Sequence, residues 1–467
     1  LTSTLLTLLV VPVMYTYMDD MGGWLKRKWK GKKVLLFSVA PLLCVITGLR
    51  CSADAADVLQ LTLDQAISIA MEKNRDIEKA REYGRYVQGK YVEERSAALP
   101  QLSLNGSAML SQDDSQKALA SMAPRQYSRV VDLTLSQPLY TWGKVNAAIR
   151  AAEVGLKTAD EQLRLYRQST YRDVSSAFYD ILLAKELYTL ATENLAQKKR
   201  LLDESQRKFT AGVATDYDVL AAEVAVQNAQ PEVIRSANSI RAAQDRLRFL
   251  LALDSQQLEV SGTLATALEP AKGYEEALLT ARSKRPELSD LRYRIGIYQE
   301  LVTIANAENK PRLDLKAGAG WHWLDVKDTS LTQNADGAAW NVGVHLSFPF
   351  FDGLKTSGKV TQARSDLRTK EIEEAKLLDS IALDVRDAVN AVKEAAEIVQ
   401  ALTGTVRQAE RLVQMAEKGY EFGVKIRLEV DDAQLNLLQA RSNLARAQRD
   451  YRVAMVNYDW SMGVAGE

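Results

Sequence analysis

From Leu102 onward, apolar and polar positions alternate with a period of two in four stretches. Leu102, Leu104, Ala108 and Leu110 interleave with Ser103, Asn105 and Ser107, and Val131, Leu133, Leu135 and Leu139 interleave with Asp132, Thr134 and Ser136. Leu313, Leu315, Ala317, Ala319, Trp321 and Trp323 alternate with Asp314, Lys316, Gly318, Gly320 and His322. Trp340, Val342, Val344, Leu346, Phe348 and Phe350 alternate with Asn341, Gly343, His345 and Ser347. Each pattern predicts a strand of about ten residues with one apolar face, the length a tilted strand needs to cross a bilayer. The tryptophans suit a lipid–water boundary.

Between the strand pairs the period changes to that of a coiled coil. Val145, Ile149, Ala152, Leu156, Ala159, Leu163 and Tyr166 keep a 4-3 spacing. After a four-residue skip the stripe resumes at Val174, Ala177, Ile181, Ala184, Tyr188, Ala191 and Leu195. This predicts one helix over about 144–208 with a stutter that locally unwinds the supercoil. A second seam of small residues, Ala148, Ala151, Gly155 and Thr158, gives that helix a neighbour on each side. Shorter helices are expected over 63–72, 76–98 and 215–250, with Pro231 interrupting and kinking the last.

The whole plan occurs twice. A shift of 211 residues sets Ala66 on Ala277, Pro100 on Pro311, Pro138 on Pro349, Tyr140 on Phe351 and Gly212 on Gly423, with one compensated gap near Trp142. A duplicated unit explains a constant offset of that length. Its second copy predicts helices over 274–283, from Pro286 to about 308, and 355–418. Boundaries at 56–273 and 274–467 follow for the two repeats.

The 467 residues carry 60 Lys+Arg and 60 Asp+Glu, so charge gives no reason to expect nucleic acid. Mean hydropathy is slightly negative, too polar for stacked membrane helices. Residues 1–25 are an apolar segment with a short tail, and 26–55 read as a secretory signal. That signal has a basic block at Lys26–Lys33, an apolar run Val34–Leu49, and Ala53-Asp54-Ala55 for cleavage. Lipidation at Cys51 is disfavoured because Arg50 stands where a small residue is needed. The mature chain is expected to begin near Ala56, without cysteine and with 53 basic against 57 acidic residues. Mass spectrometry of protein recovered from membranes checks this; a chain retaining Val34–Leu49 would overturn it.

The phrases LPQLSLNGS, SQPLYTWGK, FTAGVATDYDVLAAE and SFPFFDG, with the doubled helix–strand–strand–helix plan, resemble TolC-family outer-membrane efflux proteins over about 61–463. Separately, STLLTLLVVPVMYTYMDDM resembles the C-terminal tail of RND-type permeases. Four strands cannot close a barrel, and an open edge cannot face lipid, so an oligomer is required. Two chains would supply eight strands and three would supply twelve. The resemblance implies three: a homotrimeric α-helical barrel joined to a shared 12-strand β-barrel in the outer membrane of a Gram-negative bacterium, reaching into the periplasm. It further implies an exit duct served by a periplasmic adaptor and an inner-membrane pump of RND type. Such a duct needs no catalytic residue, cofactor or metal. Two other readings stay open, a duct for type I protein secretion and a periplasmic coiled-coil scaffold.

Two helix–helix tips carry the polar groups of interest. Gly212 and Gly423 are placed to end helices with positive φ, and Thr215 with Asp218 has capping-box spacing. By motif position the resemblance assigns Tyr420, Lys425, Glu429 and Asp432 to a periplasmic gate, with Asp218 opposite. Lys425 stands where arginine is usual, and Arg427 is the candidate to replace it. The histidines, His322 and His345, fall on polar strand faces toward the lumen.

Overall fold

The computed structural model describes residues 59–112, 125–253, 257–265, 267–327 and 332–466. The expected permease-like segment, signal and cleavage site lie outside the described residues. Two short strands, β1 (Leu59–Leu61) and β4 (Leu258–Val260), pair in parallel. The other four, β2 (Gln101–Gln112), β3 (Arg125–Tyr140), β5 (Arg312–Lys327) and β6 (Thr332–Ser347), form one antiparallel sheet in that order. The helices are α1 (Leu63–Lys73), α2 (Arg75–Ser96), α3 (Lys144–Thr210), α4 (Asp216–Leu250), α5 (Tyr274–Lys284), α6 (Pro286–Asn306), α7 (Lys355–Glu421) and α8 (Arg427–Ser461).

The 211-residue offset relates α1 to α5, α3 to α7 and α4 to α8 at both ends. No gap is needed near Trp142. Trp142 and Gly143 have φ of 50° and 80°, and Gly353 and Leu354, at the offset positions, have 63° and 66°. One left-handed turn starts both long helices, with the glycine on either side of it. The exchange looks like a gap in sequence and is none in the backbone.

Each long helix has 67 residues, about 100 Å at 1.5 Å per residue. α2 and α4, of 22 and 35 residues, stack along it for about 86 Å. In the upper tier the helices lie in the order α2–α3–α6–α7, and in the lower tier α4–α3–α8–α7. α4 runs unbroken through Pro231, contrary to the expected interruption. Proline leaves the Gln227 carbonyl without its helical donor, but both residues are exposed, so water can satisfy it.

The seams divide by height. In the lower half of α3 the expected Val174, Ala177, Ile181, Ala184 and Ala191 are buried. In the upper half Ala147, Ala151 and Thr158, close to the small-residue seam, are buried together with Ala159 of the first seam, while Val145, Ile149, Ala152 and Leu156 are only half-buried. Small residues let backbones approach: a Cβ on Gly155 would sit 3.4 Å from Val87 of α2.

Midway along the wall each repeat has its own core. The first gathers Ala66, Ala70, Val174, Phe178, Ile181, Leu247, Leu251, Leu258 and Val260. The second gathers Ala277, Ala281, Leu288, Ile381, Val385, Val392 and Tyr458. At the break between short and long segments Asn74 caps α2, accepting from the amides of Asp76 and Ile77. It also donates to the Leu250 carbonyl at 2.8 Å. Its counterpart Arg285 precedes Pro286, is only 4% exposed, bonds Asp384 at 2.8 Å, and lies 4.9 Å from the Trp460 ring.

Candidate functional site

The sheet is inverted relative to a soluble protein. Along β3 the odd, apolar positions such as Val131 and Leu133 are exposed, while the even, polar Asp132 and Thr134 are half-buried. Leu102, Leu104, Val342, Val344 and Leu346 continue the exposed apolar face across the neighbouring strands. Aromatic side chains bound this band at both ends. Tyr127 lies toward one end, Trp321 and Trp340 stand in register with Val131 and Leu133, and Tyr140, Trp142, Phe350 and Phe351 lie at the junction with the helices. From Tyr127 to Tyr140 the strand advances about 43 Å, or about 33 Å across a bilayer at a 40° tilt. An apolar band with aromatic borders is what lipid requires of a barrel exterior. Among the described residues no helix is long and apolar enough to cross a membrane.

The opposite face is polar. Nε2 of His322 lies 2.9 Å from the Asp132 carboxylate on the adjacent strand. Gly320 faces Asp132 in register, and a Cβ there would come within 2.5 Å of the Val131 carbonyl oxygen. Glycine is therefore what lets β3 and β5 close at this point. His345 pairs in register with Asp314, whose carboxylate is held by Arg312 at 2.9 Å.

At the far end of the helices, Gly212 and Gly423 have φ of 75° and 74°. Val213 N–H donates to the Lys208 carbonyl at 2.9 Å, and Val424 N–H to that of Gly419 at 2.8 Å. Both tips thus end in the same left-handed cap. Thr215 and Asp218 form the expected capping box, the Thr215 amide donating to Asp218 at 2.8 Å. Those bonds, from the Thr215 backbone first, hold the Asp218 carboxyl below its ordinary range. Glu429 does the corresponding work in the second tip, accepting from the Ile426 amide at 3.1 Å and from Lys425 at 2.7 Å. The lysine bond, and then the Ile426 amide, lower its pKa.

The contacts between hairpins use a partly different set. Tyr420 of α7 lies 5.6 Å from the Lys208 ammonium of α3 and 5.5 Å from the Arg427 guanidinium of α8. Arg427 faces Asp431 at 3.6 Å, and Asp431 accepts from Lys198 of α3 at 3.3 Å. Lys208 also pairs with Glu204 at 2.7 Å, which raises the lysine's pKa and lowers the carboxylate's. Tyr420, Arg427 and Asp218 therefore share one cleft with Asp431. Lys425 instead turns back along its own helix start, its stem against Gly419. Asp432 is exposed and makes no ion pair or hydrogen bond among the described residues. Lys198, Glu204, Lys208 and Asp431 were not singled out from sequence. Helical spacing places them on the face that meets the other hairpin, but only if the pairing of α3 with α8 is known.

The outer membrane efflux protein family model matches this chain over residues 66–253 and 277–463, once for each repeat. The outer membrane protein TolC of Vibrio cholerae is 23% identical over 80% of this chain and 84% of its own. The alkaline protease secretion protein AprF of Pseudomonas aeruginosa is 27% identical over 73% and 70%. Among solved structures, the Campylobacter jejuni CmeC outer membrane channel superposes with a TM-score of 0.76 at 16% identity, covering 86% of each chain.

Proposed function

Because the chain belongs to the outer membrane efflux protein family, and is an outer-membrane efflux channel, we propose that three copies close into one duct that passively carries solutes delivered from the inner membrane. The observation that carries this reading is the coincidence of open flanks. The sheet ends at β2 and β6, the upper helical tier at α2 and α7, and the lower tier at α4 and α7. All three tiers are unfinished on the same two sides. Tyr86 and Val92 on α2, Ile234 on α4, and Ile372, Leu383 and Met415 on α7 leave apolar side chains exposed there. Strand directions alternate across the sheet, so β6 of one copy meets β2 of the next antiparallel and closure is consistent. Eight strands enclose an interior that side chains fill, whereas twelve leave an aqueous path, which favours three copies over two.

The tips are the periplasmic end. Val213, Tyr217, Phe422, Val424, Ile426 and Leu428 are exposed there, a surface suited to the apolar tip of an adaptor. Tyr420, Arg427, Lys208 and Asp431 form a gate that holds neighbouring hairpins together, with Asp218, Lys425 and Glu429 fixing the helix starts beside it. An RND-type pump is the proposed energy source, and the likeness to AprF keeps a protein-secretion transporter as the second reading.

Light scattering of the purified protein in detergent is expected to give the mass of three chains, and planar bilayers should show unitary conductance steps. A folded monomer stable in detergent would overturn the reading, because its strand edges would face lipid unpaired.

A further inference from the structure

A cavity of about 830 Å³ lies where the barrel meets the helices, on the side lined by Gln101, Ser136 and Ser347 of the polar sheet face. That volume is within the range of sites for small organic molecules. Its floor is apolar, from Ala148 and Ala152 of α3 and Leu301 and Ile304 of α6. Its rim carries Lys90, Lys144, Lys310 and Arg312 against Glu94 and Glu308.

The two acids are already engaged. Glu94 pairs with Lys90 at 3.2 Å. Glu308 accepts from Lys359 at 2.6 and 2.9 Å and has Lys144 at 3.8 Å. Its carboxyl is held below the ordinary range, by the Lys359 bond first, with Lys144 and Lys355 adding to it. Arg312 is matched by Asp314. Lys310 is exposed and has no charged partner among the described residues. The rim thus retains positive charge beside an apolar floor.

We propose that this cavity is a lumenal station for amphiphilic organic anions in transit, the apolar body on the alanine–leucine floor and the anionic head on Lys310 and Lys144. This rests on the duct reading, since the polar sheet face must line a lumen. A neutral solute would gain only the floor, and a cation would meet the lysines. Three such stations would ring the duct where it narrows from barrel to tunnel.

The test uses 1-naphthalenesulfonate, with naphthalene-1-sulfonamide as its neutral counterpart. Calorimetric titration of the detergent-solubilised protein should show sulfonate binding about tenfold tighter than amide binding, as expected when a charge-assisted bond is added. Lys144→Gln with Lys310→Gln should erase that difference, and Lys144→Arg with Lys310→Arg should keep it. In bilayers the sulfonate should produce brief current blocks in the wild type that shorten about tenfold in the glutamine variant. Equal binding of sulfonate and amide, or unchanged binding in the glutamine variant, would overturn the station. Sulfonate binding that follows this pattern in a protein without conductance steps would keep the anion site but overturn the duct, and with it the role of the site in transit.

Discussion

Replacing Tyr420 by Ala and Arg427 by Ser together should raise single-channel conductance several-fold while leaving the oligomer intact. Tyr420 stands between Lys208 of α3 and Arg427 of α8, so it ties the second hairpin's tip to the long helix of the first. Arg427 adds the link to Asp431, which Lys198 reaches from α3. Each contact is half-buried and individually weak. The effect on conductance is nonetheless expected to be large, because in the proposed three-copy duct the three tips would set the narrowest section together. Lys425→Ser should do much less, since its ammonium serves Glu429 across one helical turn and bridges no hairpins. Removing Glu429 and Asp432 should weaken cation preference, as acids near a constriction favour cations. Planar-bilayer recording under a salt gradient reads both quantities. Wild-type conductance in the Tyr420/Arg427 variant, with the oligomer intact on native gels, would reduce these residues to ordinary helix-end polar groups.

Gly463→Val should largely abolish the folded protein, costing about 3–5 kcal/mol per chain. Gly463 has φ of 75°, where a β-branched residue is strained. A Cβ there would also sit 2.8 Å from the Arg285 backbone nitrogen and the Lys284 carbonyl carbon, neither of which is a flexible group. The same turn receives a 2.6 Å hydrogen bond from buried Gln168 and lies against the Arg285 break. Offset by 211, the first repeat has Ala252 with φ of 49°. Ala252→Gly should remain within about 1 kcal/mol of wild type, because the relieved strain is offset by the greater freedom of glycine in the unfolded chain. Folded yield in membranes and the temperature of oligomer dissociation measure both. Wild-type yield and dissociation temperature in Gly463→Val would contradict the steric argument.

The repeat was legible because both copies keep Pro, Gly and apolar positions at one spacing, and the strands because their period of two is uninterrupted. Their true lengths, 12 residues for β2 and 16 for the other three, exceeded the expected ten. Pairing continues past the apolar segment into polar ends such as Arg125 and Lys327. The strands β1 and β4 were missed. Three residues carry no readable period, and they pair only because the chain returns about two hundred positions later.

For this protein the sequence by itself determined the helices and the four long strands, the doubled plan, the membrane band and the tip turns. These depend on local periodicity and on glycine or proline geometry, which a short window of residues contains. Tertiary structure alone decided the helix order α4–α3–α8–α7, the open flanks, and the choice of Lys208 and Asp431 over Lys425 and Asp432 as the links between hairpins. A charged side chain on an exposed helix finds its partner through the helix packed beside it. In a wall of helices with similar seams, that neighbour is fixed by the sheet and the mid-wall cores rather than by any property of the charged residue itself.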